Sequence, residues 1–241
     1  MKRLTLAALF LIFPIVGWGS DSGFLDDYSI LERRAGDALD SVYIAPGTEE
    51  RLAEYHAVMV DQPEVFMSPD SKYGGAKPDH LKMLADSARL ALVERLQEDG
   101  GYEVVDQAGP GVVYLRWAIT DLYLKKKKRG LLSYTPIGFV VHATAQAAIR
   151  DVWKKIDMVE LNIEVEFIDS TTGDVLAAVV AERGARKAED QDQELVSWEE
   201  LDATINTFGL RLRCALDNAR VEASRRKDCT QIVVEPVTEE S

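Results

Sequence analysis

Glu160, Glu164 and Glu166 project from one side of a run that alternates apolar and polar residues. A row of this kind could hold a hard cation or supply a carboxylate pair for acid–base work. Alternation alone also generates such a row on any sheet face turned to water, so a solvated surface is expected here. His56, His80 and His142 fall on a strand, a helix start and a loop, and none has a ligand partner at i+4. Asp190-Gln191-Asp192-Gln193-Glu194 resembles part of a calcium loop but lacks the central glycine and the closing glutamate. It is read as an acidic linker. Nucleophile motifs are missing too: there is no Gly-x-Ser-x-Gly elbow and no Ser-x-x-Lys pair with supporting motifs. Ser71 and Lys72 are adjacent, the wrong spacing for one helical face, and Gly74-Gly75 lacks the Lys-Ser/Thr of a phosphate loop. No catalytic residue, metal ligand or cofactor follows from these residues.

Two other constellations stand out. Lys125, Lys126, Lys127, Lys128 and Arg129 precede an apolar stretch that includes Leu131, Tyr134, Ile137 and Phe139. A basic cluster beside aromatic and aliphatic residues suits a peripheral contact with an anionic membrane or an acidic partner, with Leu131 and Phe139 as inserting side chains. The competing expectation is a solvated strand end followed by a buried core segment. Cys214 and Cys229 are the only cysteines, and in an exported chain so close a pair favours a disulfide.

These residues need elements to position them. Val42-Tyr43-Ile44 reads as a short strand ended by Pro46-Gly47, and Ala57 to Met67 as a longer one broken at Pro63. Pro78 and Asp79 open a helix whose stripe is Leu81, Leu84, Ala85, Ala88, Leu92 and Leu96, stopped by Gly100-Gly101. Tyr102–Val105 is a short strand. Val113, Leu115, Trp117 and Ile119 alternate with polar or small residues, as a half-buried strand does. Val159, Leu161, Ile163, Val165 and Phe167 do so again, and Thr171-Thr172-Gly173-Asp174 turns that strand into Val175–Glu182 as an antiparallel hairpin. Its glutamate face points to a sheet covered on one side only. Ser197 and Glu200 form a capping box for a last helix with the stripe Leu201, Ile205, Phe208, Leu212, Ala215 and Ala219. The expected fold is α+β, a mainly antiparallel sheet with two long helices packed on one face.

Compartment comes from the first residues. Lys2 and Arg3 precede an apolar run from Leu4 to Val16, interrupted at Pro14, with Gly17, Gly19 and Ser20 beyond it. This is the pattern of a secretory signal peptide, with cleavage expected between Gly19 and Ser20. The run is too short for a comfortable span of about 20 residues, and no cysteine follows it for lipid attachment. The expected organisation is a signal peptide over 1–19, one α+β domain over 20–228, and a flexible acidic tail over 229–241. A formal charge of −13 repels nucleic acid at long range and argues against a general polyanion binder, with the basic run over 125–129 as the local exception.

Several short motifs taken together resemble one family. Ser22-Gly23-Phe24-Leu25-Asp26-Asp27-Tyr28-Ser29, Ser71-Lys72-Tyr73 and Pro78-Asp79-His80-Leu81 are among them, with Gly109-Pro110-Gly111-Val112, Ala118-Ile119-Thr120-Asp121 and Asp169-Ser170-Thr171-Thr172-Gly173-Asp174-Val175-Leu176. They resemble uncharacterised proteobacterial envelope lipoproteins grouped as a domain of unknown function. The resemblance implies export, a Gram-negative envelope and a single α+β domain, with no activity to carry over. The lipid-bearing cysteine of that pattern is missing here. The leading expectation is a non-enzymatic periplasmic protein that binds another envelope component, an envelope protein or a membrane surface. One alternative is a periplasmic hydrolase assembled from His56, Ser71 and Asp121. Another is a small-ligand or lipid-binding module with an apolar pocket under the first helix.

Overall fold

The computed structural model describes residues 21–33, 41–69, 71, 78–126, 156–184 and 198–236. The expected leader over 1–19, Lys127, Lys128, Arg129, Leu131, Phe139, His142, the 190–194 run and Ser197 of the expected capping box lie outside them. Among the described residues one sheet holds eight strands: β1 (Glu32–Arg33), β2 (Ser41–Ile44), β3 (Ala57–Val60), β4 (Glu64–Met67), β5 (Glu103–Val104), β6 (Val112–Lys126), β7 (Ile156–Asp169) and β8 (Val175–Gly184). Their order is β1-β2-β8-β7-β6-β3-β5, with β4 also on β6. The helices are α1 (Thr48–Arg51), α2 (Pro78–Gln97) and α3 (Trp198–Asn218).

The fold class is α+β, and most strand pairs are antiparallel, as expected. The sheet is nevertheless mixed: β3 runs parallel to both β5 and β6, and β4 runs parallel to β6. The sequence carried the reason. A strand, a long helix and a second strand make a crossover, and a crossover delivers parallel neighbours. Pro63 marks the interruption between β3 and β4. Val60 pairs with Leu115 and Glu64 with Ala118, so the two short strands follow one edge of β6 with an extra residue between them. A proline has no N–H to give the ladder, and the break falls where none is needed.

Pairing along β6 and β7 is continuous from Val113↔Asp169 to Thr120↔Asn162, and Lys125 and Lys126 end it opposite Asp157 and Ile156. The β7–β8 hairpin closes at Gly173, whose φ of 79° is open to glycine at little steric cost. Asp121 has a φ of 50° beside a register shift of β6, and its carboxylate accepts from Asn162 Nδ2 at 3.0 Å.

Alternation is honoured on both long strands. Leu115, Trp117 and Ile119 of β6 and Leu161, Ile163 and Val165 of β7 join one core with Leu84, Leu92 and Leu96 of α2 and Leu201, Ile205 and Leu212 of α3. Each large side chain removed from water in this way contributes about 1.5–3 kcal/mol. Trp117 directs its indole N–H to the Asp61 carbonyl at 3.0 Å, so its polar atom is satisfied inside the core. A Cβ built at Gly209 would come within 2.9 Å of the Arg95 Cβ, so this approach of α3 to α2 requires glycine. Arg95 Nε then reaches Asn206 Oδ1 at 2.7 Å across the same contact.

The opposite sheet face departs from the sequence expectation. Glu164 and Glu166 are only 2% and 6% exposed, with Asn162 also buried. Residues 22–33 fold over them as a strap. Phe24, Leu25 and Leu31 form a second cluster with Ala118, Ala178 and Val180, and Tyr28 packs at its edge. A sheet face that looked solvated is closed.

Side chains of α3 also hold the described residues that follow it. Arg211 donates to the carbonyls of Thr230 and Ile232, and the Val234 amide donates to Thr207 Oγ1. Cys214 and Cys229 form the expected disulfide, with their Cα atoms 5.7 Å apart.

Candidate functional site

Two of the three glutamates of the β7 row, Glu164 and Glu166, already have partners. Glu164 accepts from the Tyr28 hydroxyl at 2.6 Å and from Thr120 Oγ1 at 2.7 Å, one bond to each oxygen. Glu166 takes Arg116 Nη1 at 2.8 Å, and Arg116 Nη2 donates to the Phe24 carbonyl while its guanidinium lies over the Phe24 ring. Buried polar groups hold when their partners are met: Glu166 is paired with a guanidinium, and Glu164 takes one hydroxyl on each oxygen. They fasten the strap. Among the described residues no three His, Cys, Asp or Glu side chains are grouped to hold a metal ion.

The dispersed hydrolase is not assembled either. The His56 amide donates to the Gly111 carbonyl just before β6 begins. Ser71 instead binds the backbone of Leu124 near the far end of that strand. Thirteen strand residues at about 3.3 Å each separate those two ends by roughly 40 Å. Asp121 is occupied at the bulge with Asn162, and His80 lies in the first turn of α2. No nucleophile–base–orienter contact can form across such a distance.

A tighter polar group sits on the outer end of the hairpin. Arg51 Nη2 and the Tyr55 hydroxyl both contact Asp169 Oδ2, at 2.6 and 2.8 Å. The tyrosine, together with the amides of Thr171 and Thr172, holds the Asp169 carboxyl below its usual range. The group pins α1 to the β7–β8 turn. Burial and then the Asp169 bond push the Tyr55 phenol up to about 12. Burial and the Asp61 carboxylate do the same for Tyr114, and burial leads for Tyr102, also at about 12. A phenol whose folded value is raised stabilises the fold fully below the unfolded value of about 10 and loses that contribution as pH rises towards 12. Denaturant unfolding followed from pH 9 upward is therefore expected to weaken progressively above about pH 10, with tyrosinate absorbance lagging behind a model peptide. Phenols that ionise at the peptide value with no loss of stability would contradict the burial argument.

The remaining concavity is apolar. The C-terminal half of α3 stands off the sheet and leaves a cavity of about 410 Å³. Val113, Phe167, Leu176 and Val179 line it from the sheet, and Phe208, Leu212 and Leu216 from the helix. Thr48 is its one buried polar side chain, and its hydroxyl is already given to the Leu176 carbonyl at 2.9 Å. Cys229 and Thr230 close one wall, so the disulfide fixes part of the mouth. Arg211, Arg226, Glu49 and Asn218 stand around the rim. The volume and lining are those of a site for an apolar molecule held with few polar contacts.

At the first long helix, where the sequence suggested an apolar pocket, lies a second concavity of about 480 Å³. It is a more open groove between Pro63, Val65, Leu81 and Ala85, crossed by the Gln62–Asp86 hydrogen bond at 2.9 Å. The signal for the cavity at α3 lies in that helix's own stripe. Ala215 and Ala219 fall where larger apolar residues would have filled the space, and both line the cavity. Leu216, outside the expected stripe, is the residue buried in the core. No helix among the described residues is long and apolar enough to cross a membrane.

Comparison with known proteins adds a family and a distant likeness. The chain resembles a PelC dodecamer subunit from Paraburkholderia phytofirmans at 13% identity and a TM-score of 0.36, over 73% of this chain and 94% of that one. It also resembles a putative neuraminyllactose-binding hemagglutinin homolog from Helicobacter pylori at 12% identity and a TM-score of 0.30, over 66% of this chain and 84% of that one. No curated protein matches. A family profile matches residues 20–212, most of the chain, and the protein belongs to that family, described as a protein of unknown function (DUF3313).

Proposed function

We propose that this chain is a non-enzymatic, envelope-associated binding protein that holds an apolar envelope component in the cavity between α3 and the sheet. The cavity carries this reading: about 410 Å³ of mostly apolar space with its one buried hydroxyl already satisfied. The Lys2-Arg3 leader pattern and the Cys214–Cys229 disulfide support an exported, oxidising location. In the same reading both long helices cover one sheet face and the strap covers the other. That leaves the wider end of α3 as the place where a ligand can enter without breaking the core.

A neutral fluorescent probe such as N-phenylnaphthylamine is expected to brighten and shift to the blue on mixing with the mature protein. Ala215→Trp, at an exposed helix position on the cavity wall, should abolish that signal while the melting temperature stays within a few degrees. A probe that ignores the protein, or binds the tryptophan variant equally well, would defeat the assignment.

A further inference from the structure

We propose that the ligand of this cavity is an anionic amphiphile with a single apolar chain, its head group met at the mouth by Arg226 and Arg211. This rests on the cavity reading above and adds the chemistry of the ligand.

Size selects one chain. Allowing roughly 30 Å³ for a methylene-sized group, about the share of one liquid water, 410 Å³ seats about a dozen carbons. Two chains do not fit. Depth selects a linear apolar body, because Val113 and Phe167 line the site from the central strands while Ile44, 46% exposed, marks its outer edge.

Charge selects the head group. The protein as a whole is acidic, at −13, yet two guanidinium groups stand at this rim. Arg211 spends its donors on the carbonyls of Thr230 and Ile232, which leave its positive charge in place. Arg226 makes no side-chain hydrogen bond or ion pair among the described residues. Facing them are Glu49 on the rim and Asp228, which the Thr230 hydroxyl and amide hold ionised near Arg211. Asp228 is turned to its own Thr230 cap, and Glu49 belongs to α1 on the opposite lip, so Arg226 is the cation left to an incoming anion. A guanidinium beside an apolar opening binds carboxylate or phosphate in a fork while the chain goes below.

The test is a chain-length and charge series on the full mature protein, each probe kept below its critical micelle concentration. Affinity for linear carboxylates should rise about fourfold for each added methylene and level off near a dozen carbons. Dodecyltrimethylammonium, with the same chain and the opposite charge, should bind at least about tenfold more weakly than dodecanoate. Arg226→Glu should narrow that gap by roughly threefold to tenfold, and raised salt should narrow it in the wild type. Dodecyl phosphate binding as dodecanoate does is expected, since the fork serves both anions. If the cationic and anionic probes bind equally, the head-group assignment is overturned and the cavity reading survives. If no probe of either charge binds and N-phenylnaphthylamine does not either, both fall together.

Discussion

Phe24→Ala is expected to lower the unfolding free energy by about 3–5 kcal/mol, as losing a fully buried aromatic ring does. Phe24 is 1% exposed and packs with Leu25, Leu31, Ala118, Ala178 and Val180. Its ring meets Phe66 edge-on at 6.5 Å and carries the Arg116 guanidinium 4.3 Å from its centre. Alanine removes the transfer energy, leaves a void, and lets water reach the Arg116–Glu166 pair and the Tyr28–Glu164 bond. Phe24→Leu should recover most of the loss, because the volume and the apolar cover return. Ile30→Ala, in the same strap but 39% exposed, should stay within about 0.5 kcal/mol of wild type. Urea titrations of the three variants give the comparison. A Phe24→Ala protein as stable as the parent would mean that the strap does not cover the sheet in solution.

Opening the Cys214–Cys229 bridge is expected to cost about 3 kcal/mol, the loop-closure entropy for a separation of 15 residues. For a domain of this length that corresponds to a fall in Tm of roughly 6–12 °C. The loss is reached by reductant or by replacing both cysteines with alanine, and the two routes should agree. A larger effect is expected on the cavity than on the core. Cys229 and Thr230 wall the mouth, and hydrogen bonds with Arg211, Thr207 and Asn218 would then hold that segment to α3 without a covalent link. Probe binding should therefore weaken before the protein melts. Thiol labelling of the untreated protein at either cysteine, or an unchanged Tm after reduction, would remove the bridge from the account.

Periodicity told which side chains share a face, and it did so well on β7 and α2. It could not tell what covers a face. The polar side of β7 was taken for a surface because glutamates occupy it, while the residues that seal it lie in a strap far away in sequence. Ala118 and Ala178 were the available clue, since small residues on a supposed solvent face leave room for a ring. The strand–helix–strand order carries the parallel pairs, but the alternation that marks the β7–β8 hairpin is the stronger local signal. The cavity escaped because a stripe of apolar residues was assumed to be filled, whereas Ala215 and Ala219 are too small to fill it. The disulfide was legible because only one pairing exists for two cysteines.

The strap sets an order of events. Tyr28 bonds to a glutamate 136 positions further along the chain, so the docking place for the first folded residues does not exist until β7 and β8 have paired. A ribosome delivers the N-terminus first. The strap is made well before the strands that seat it, and such distant closure is slow because its loop entropy is met before any contact rewards it. Until then Phe24 and Leu25 are loose apolar side chains and the Glu164–Glu166 row is open to water. Exposed apolar side chains of that kind are what a holding chaperone binds, and the closing of that seam removes them from reach.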